Sequence, residues 1–217
     1  MNSAKEKAIL FPKIPKQLEA FDLSKINIQD EDAFSTKVIS DCTIDNQEAE
    51  NVIFKQTVFK NVSFKEVHFK SIDLTDVRFE NCDFSNADLN GAIIHRTEFI
   101  DCKIVGTNLC DATFRNVKFY KCCGKYAFFR SSSFGQVIYE ECMLRHADFS
   151  ESNFSCILFD SSDLQQTQMS GVKLKGIDLS SCDIEGMSVR IEDLSDAIVS
   201  PAQAVFLAKK MGLIIKE

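Results

Sequence analysis

From Val52 to Val199 every fifth residue is large and apolar. The series runs Phe54, Phe59, Phe64, Phe69, Leu74, Phe79, Phe84 and Leu89, and continues unbroken to Phe119. It lapses once, at Gly124, and resumes from Phe129 to Val199. Two positions before each member, Val189 and Leu194 excepted, sits a small or β-branched residue, such as Val52, Thr57, Cys82, Ala87, Thr97 or Ala147. Thirty pentapeptides follow one another with a single exception at the large position, and fifteen of the nineteen Phe residues obey the rule once Phe34 is counted. An internal repeat of this regularity decides the architecture before any local propensity is consulted.

A helical stripe recurs at three and four residues and a flat strand at two. Five is odd, so an uninterrupted strand would throw successive Phe residues to opposite faces. The chain must therefore turn once per repeat. Within a repeat the two apolar positions lie two apart, so both point to one side of a short extended segment. Four right-angle turns close a coil of twenty residues, and stacked coils pair in parallel about 4.8 Å apart. Thirty repeats predict seven to eight coils, roughly 36 Å of an all-β solenoid with four faces.

Two columns at period twenty agree with this geometry. Cys42, Cys82, Cys102, Cys122, Cys142 and Cys182 differ by multiples of twenty and fall at one inward small position. Phe59, Phe79, Phe99, Phe119, Tyr139 and Phe159 form a second column. Neighbouring thiols in such a column stand one strand spacing apart with parallel Cβ vectors, which disfavours disulfides. They serve as small apolar fillers. Cys110, Cys123 and Cys156 fall on outward positions. Gly124 predicts a cavity, unless Tyr126 folds inward or the coil bends.

Asn86-Ala87-Asp88-Leu89-Asn90, Asn81-Cys82-Asp83-Phe84-Ser85 and His146-Ala147-Asp148-Phe149-Ser150 resemble the A-(D/N)-L-x-x signature of pentapeptide-repeat proteins. The resemblance implies a right-handed quadrilateral parallel β-helix. The tail, beginning Ser200-Pro201-Ala202-Gln203-Ala204, is similar to that of the Qnr and MfpA-type quinolone-resistance branch. That likeness implies a homodimer joined at its C-terminus, a mimic of DNA that binds DNA gyrase and topoisomerase IV.

The ends depart from the repeat. Residues 1–31 are expected to cap the first coil, because Phe11, Ile14, Leu18 and Phe21 need burial and an open tube exposes strand edges; Gln17 to Phe21 has the makings of a helical turn. Residues 32–199 form the β-helix, irregular at first because Gln47 and Ala49 break the period. Residues 200–217 supply a helix and a short strand. Ser200 is a good N-cap, Pro201 suits the first helical position and Gln203 completes a capping box. Ala202, Val205, Phe206 and Met211 are expected to face the tube end. Leu213-Ile214-Ile215 reads as an apolar strand that needs a cover. Val205, Phe206, Met211, Leu213, Ile214 and Ile215 are thus the candidate dimer interface.

Charge refines the picture. The chain carries a net charge of −7 with a pI of about 5.1, which disfavours direct nucleic-acid binding. Residues 52–130 hold 12 Lys and Arg against 9 Asp and Glu, whereas residues 140–196 hold 4 against 12. Lys55, Lys60, Lys65 and Lys70 ring the first regular coil as a solvated collar. Glu140, Glu141, Asp148, Glu151, Asp160, Asp163, Asp183 and Glu185 form the candidate acidic partner-binding surface. Asp83, Asp88, Asn108 and Asp178, just before large positions, are first of all turn-formers. Glu192 falls at an inward position, so the last coil should loosen there.

No glycine-rich phosphate loop or nucleophile elbow occurs, and the three His residues are scattered. An enzyme, a cofactor and a metal site are not expected. No apolar run is long enough to cross a membrane. Ala8 to Phe11 is too short for a signal-peptide core after Lys5 and Lys7, so the cytoplasm is the expected compartment. Two functions remain: a topoisomerase-binding DNA mimic, or a scaffold rod with another protein partner. Acid gathered on one continuous side favours the first and acid spread evenly over four faces the second.

Overall fold

The structure, a computed structural model, describes residues 9–216. Lys5, Lys7 and Ala8, on which the signal-peptide reading partly rests, lie outside these residues, as does Glu217.

Every fifth backbone position explains the fold. Residues two beyond most of the large side chains take positive φ, including Gln56, Asn61, Glu66, Ser71 and Asp76. Twenty-six non-glycine residues do so, a conformation that costs L-residues of order 1 kcal/mol each. Asn and Asp supply eleven of the twenty-six, because their short side chains tolerate it best. The cost is offset by the ladder that the turns permit. All strand pairs are parallel, and those within the tube join residue i to residue i+20 except at Gly135. From the third coil onward, faces one and two merge into eight-residue strands: Asp73–Glu80, Ile93–Ile100, Thr113–Tyr120, Ser133–Glu140 and Asn153–Asp160. Faces three and four are held by single bridges such as Lys103 to Cys123 and Asn108 to Phe128. The result is the four-faced parallel β-helix expected from the period.

The interior is a set of stacked columns. On face two, Phe59, Phe79, Phe99, Phe119, Tyr139 and Phe159 lie ring on ring at centroid distances of 4.8, 4.9, 4.8, 4.6 and 5.4 Å. The inward small residues have a second task. Cys102, Cys122, Cys142 and Ser162 donate to the carbonyls of Phe79, Phe99, Phe119 and Tyr139, in each case the large residue twenty-three positions earlier. Those carbonyls face the dry interior, where an unmade hydrogen bond costs about 1–3 kcal/mol. This explains why Cys, Ser and Thr recur there. The thiols are unpaired and, apart from half-buried Cys42, the column is buried.

Gly124 leaves no void that Tyr126 must fill. A Cβ there would meet Leu144 Cδ2 at 2.9 Å and Ile104 at 3.2 Å, so the coils on either side close over the gap. Tyr126 points outward instead and stacks on His146 at 4.7 Å. The single register shift lies between Gly135 and Cys156, and it leaves Cys156 exposed.

At the N-terminal end, Leu23 and Ile28 enter the core and Phe21 packs beside it, while Phe11 is exposed. The helical turn expected at Gln17 to Phe21 is a two-residue strand, Glu19–Ala20, that pairs with Lys37 and Val38; an open strand edge is a stronger attraction than local propensity. Gln47 accepts from Ile28 N–H and donates to Ile26 O, so its polarity serves this end. Before the cap, the chain lies along the corner between faces one and two. Leu10 N–H donates to Asn116 Oδ1 (3.0 Å) and Lys13 N–H to Asp76 Oδ1 (2.9 Å).

At the other end the helix α1 spans Pro201–Lys210, with the Ser200–Gln203 capping box in place. Its rotation differs from expectation. Gln203, Phe206 and Leu207 face the tube, whereas Ala202, Val205 and Met211 face out. The reason is Gln203, whose Nε2 donates to both Leu179 O and Cys182 O at 2.7 Å. Lys210, a further two turns along, reaches Met187 O. Residues 213–215 form no strand, since no strand edge is offered to them within the described residues. A 3₁₀ turn at Ile191–Leu194 swings Glu192 outward and buries Asp193, which accepts from Gly171 N–H at 2.9 Å. The last coil has loosened there, as its inward carboxylate predicts.

Candidate functional site

The ladder register assigns each acidic residue to a face. Faces two and three of the last coils (136–145, 156–165 and 176–185) carry Glu140, Glu141, Asp160, Asp163, Asp178, Asp183 and Glu185 against Arg145 alone. The opposite faces over the same height (146–155, 166–175 and 186–195) carry four acidic residues against Lys173, Lys175 and Arg190. Acid therefore concentrates on two adjacent faces towards the C-terminal end. Asp148 and Glu151 stand apart from this group, on face four and its following corner.

Most of these carboxylates already have partners. Glu140 pairs with Lys118 at 2.7 Å, Glu141 with Lys121 at 3.7 Å and Asp148 with Arg130 at 3.5 Å. Asp163 pairs with Arg145 at 3.0 Å and Glu151 with Arg190 at 2.8 Å. The first four pairs span 18 to 22 residues, one coil apart, so opposite charges near period twenty were the signal for them. Such partly exposed surface pairs contribute about 0–1 kcal/mol each. Asp160 takes a hydrogen bond from Ser161 Oγ, and Glu185 has no ion pair among the described residues.

The aspartates before large positions also hold turns. Asp148, Asp163 and Asp183 accept the backbone N–H of Ser150, Gln165 and Glu185. At Asp178 the hydroxyl and N–H of Ser180 hold the carboxyl below its ordinary range. Asn at these sites would keep the turn and remove the charge; Ala would remove both.

Of the candidate dimer residues, Val205, Met211, Leu213, Ile214 and Ile215 are exposed and Phe206 is half-buried. Ile214 is 91% exposed, and Ile191 and Ile198 add to the apolar surface at the same end of the tube. No helix among the described residues is long and apolar enough to cross a membrane. The described residues hold no cluster of three or more His, Cys, Asp or Glu able to bind a metal.

Comparison with known proteins bears on the fold and family. The family model "Pentapeptide repeat region" matches residues 72–137, and "Pentapeptide repeats (8 copies)" matches residues 142–186, together just over half the chain. An uncharacterized protein of Bacillus subtilis (strain 168), YisX, is 38% identical over 125 residues, which is 58% of this chain and 58% of that protein. Among solved structures, a trypsin-treated variant of QnrB1, a plasmid-mediated fluoroquinolone resistance protein, is 20% identical; the match covers 92% of this chain and 100% of that one, with a TM-score of 0.52. HetL, a pentapeptide-repeat protein involved in heterocyst differentiation regulation in the cyanobacterium Nostoc sp. strain PCC 7120, is 15% identical over 78% of this chain and 87% of its own, with a TM-score of 0.37. The period, the one-per-repeat turn, the stacked interior and the two family matches lead to one assignment: this chain belongs to the pentapeptide-repeat family.

Proposed function

We propose that this protein is a binding protein rather than an enzyme: a dimeric acidic rod that occupies the DNA-binding saddle of a type II topoisomerase, DNA gyrase or topoisomerase IV, in the cytoplasm. The observation that carries the reading is the concentration of acid on two adjacent faces at the end bearing the capping helix and the uncovered apolar tail. A two-fold contact through Val205, Met211 and residues 213–215 would bury that tail and bring two acidic stretches into line. The overlap with QnrB1 supports the same reading at the level of fold.

Mimicry here rests on shape and a local acidic belt. Duplex DNA over roughly 36 Å carries about 21 charges, against a net −7 for the chain. Because the ion pairs on Glu140, Glu141 and Asp163 lie at the surface and are partly exposed, each is weak enough for a cationic saddle to take the carboxylate over. The test is gyrase supercoiling against a titration of the protein, with and without a quinolone. Rescue of supercoiling in the drug, or inhibition without it, is expected. No binding and no effect at micromolar protein, from a sample shown to be a folded dimer, would overturn the reading.

One observation favours a second function. Five of the eight candidate carboxylates are neutralised within the chain, as suits a scaffold rod with a different protein partner. That reading predicts no topoisomerase effect and unchanged partner binding when Asp160 and Glu185 are neutralised.

A further inference from the structure

Two backbone columns stop at the same height of the tube. On face one the carbonyls of Val52, Ile72, Ala92, Ala112 and Ser132 each accept the N–H twenty-one residues later, at 2.8 to 2.9 Å. The next bond of the column, Lys173 N–H to Ser152 O, is not made. At the corner after face two, the N–H groups of Asn61, Asn81, Asp101, Lys121 and Glu141 each donate to the carbonyl nineteen residues later. Ser161 N–H turns instead to Ser181 Oγ at 3.1 Å. Asp178 N–H, due at Ile157 O, has no partner among the described residues. The strand Asn153–Asp160 accordingly ends its sheet and pairs with Ser133–Glu140 alone.

The interruption is local. On faces three and four the same two coils stay laddered, through Asp183 N–H to Ser162 O at 3.2 Å, Leu164 N–H to Asp183 O at 2.8 Å and Ser188 N–H to Thr167 O at 2.8 Å. One coil further on, faces one and two pair again: the N–H groups of Leu174, Gly176 and Leu179 donate to the carbonyls of Asp193, Asp196 and Ile198. The departure begins at one corner. Gln56, Asp76, Arg96, Asn116 and Gln136 turn from face one to face two with positive φ, as do Gly176 and Asp196, but Cys156 does not. Gly135 pairs with Cys156 rather than Ser155, and a bulge of this kind bends its strand. The inward side chains follow. Phe154 and Ile157 are half-buried, whereas Phe134 and Val137 one coil earlier are buried. The Phe154 ring stands edge-on to Phe134 at 84°, where Phe134 lies flat on Phe114 at 8°.

We propose that the rod is jointed at this seam: the coils up to Ser161 form one stack, the coils from Val172 onward form another with α1, and the two hinge about their shared ladder on faces three and four, opening a mouth on faces one and two. Each coil of a solenoid is held by its neighbours alone, so a seam that lacks its ladder on two of four faces is a weak plane across the tube. Unpaired backbone groups at a closed seam are desolvated without partners, and opening returns them to water. The joint lies inside the acidic belt. Glu140 and Asp160 stand on one stack and Asp178 on the other, so opening alters their spacing along the rod. A hinge of this kind gives an otherwise stiff β-helix more than one acidic spacing, and it stands whether or not the partner is a topoisomerase.

Pulsed dipolar spectroscopy tests the motion. Nitroxides carried on ketone-bearing unnatural residues leave the nine cysteines untouched. Labels in place of Ile93 and Lys173 span the seam on face one, labels in place of Lys103 and Glu185 span it on face three, and labels in place of Ile53 and Ser133 lie on face one within a single stack. The members of each pair are about four coils, roughly 19 Å, apart along the axis. The distance distribution across Ile93 and Lys173 is expected to be at least twice as wide as the other two. All six positions point outward, so the labelled chains should keep the parent's circular dichroism and unfolding midpoint. Native-state hydrogen exchange tests the seam: the amides of Lys173 and Asp178 should exchange at least a hundredfold faster than those of Asp73 and Arg78, which donate to Val52 O and Thr57 O. A distribution across Ile93 and Lys173 as narrow as the controls, or protection of Lys173 and Asp178 equal to that of Asp73 and Arg78, would overturn the proposal.

Discussion

The Gln203 carboxamide stands where the backbone of one more coil would stand above Cys182. Along the column, the carbonyls of Cys82, Cys102, Cys122 and Cys142 accept from the N–H twenty-one residues later. Cys182 O instead accepts from Gln203 Nε2, which also serves Leu179 O. One side chain thus supplies the backbone and side-chain hydrogen bonds that end with the repeat. Gln203→Ala should cost about 2–3 kcal/mol, from an unsatisfied Cys182 carbonyl and a lost capping box, while Leu179 O keeps the Cys182 N–H. Hydrogen exchange should show the loss concentrated in the amides of the final coil, with those of residues 54–99 unchanged.

Gly124 yields the opposite of a consensus argument. Restoring the large residue with Gly124→Leu should destabilise by about 1–3 kcal/mol or more, because Ile104 and Leu144 already fill the space. Urea unfolding would measure it; a stabilised variant would mean the gap is empty.

Tyr139 is fully buried between Phe119 and Phe159, and its hydroxyl has no hydrogen-bond partner. Tyr139→Phe keeps the stack and removes the unpaired group. Its unfolding midpoint should rise, by about 1 kcal/mol in stability.

Asp76 is 5% exposed and bound by Arg96 at 2.6 and 2.7 Å. Burial alone would raise its pKa, but the Arg96 guanidinium and the Lys13 N–H outweigh it and hold the carboxyl below 3.8. A depressed folded-state pKa stabilises the fold above the unfolded value and loses that contribution as pH falls through the folded one. Acid unfolding below about pH 3.8 should therefore be shallower in Asp76→Asn. Arg96→Ala at neutral pH should cost about 3 kcal/mol, since it strands a buried charge.

The acidic belt can be tested without disturbing turns. Asp160→Asn with Glu185→Gln should weaken gyrase binding and leave the unfolding midpoint within about 0.5 kcal/mol of the parent. Asp163→Ala should lower both, because it also frees the Gln165 N–H.

The sequence made the fold legible because a period of five with a turn in each repeat leaves one way to bury every Phe. Ser200, Pro201 and Gln203 signalled their helix through local chemistry. The rotation of that helix was not legible, because it depends on carbonyls of Leu179 and Cys182 more than twenty residues away. Gly124 looked like a void for the same reason: its filling comes from the next coils. The acidic residues were visible, but their neutralisation by Lys118, Arg130 and Arg145 emerges only once charges are compared at the pitch of the coil.

The segment along the first corner sets an order of events. Leu10 and Lys13 leave the ribosome long before Asn116 and Asp76, their anchors 106 and 63 residues later. Each coil can close on the last over about twenty residues, a short and repeated entropic step. The leading segment cannot settle until the rod has grown past its middle. It is a latch that closes late, and its protection during synthesis would report that four coils have formed and a fifth has begun.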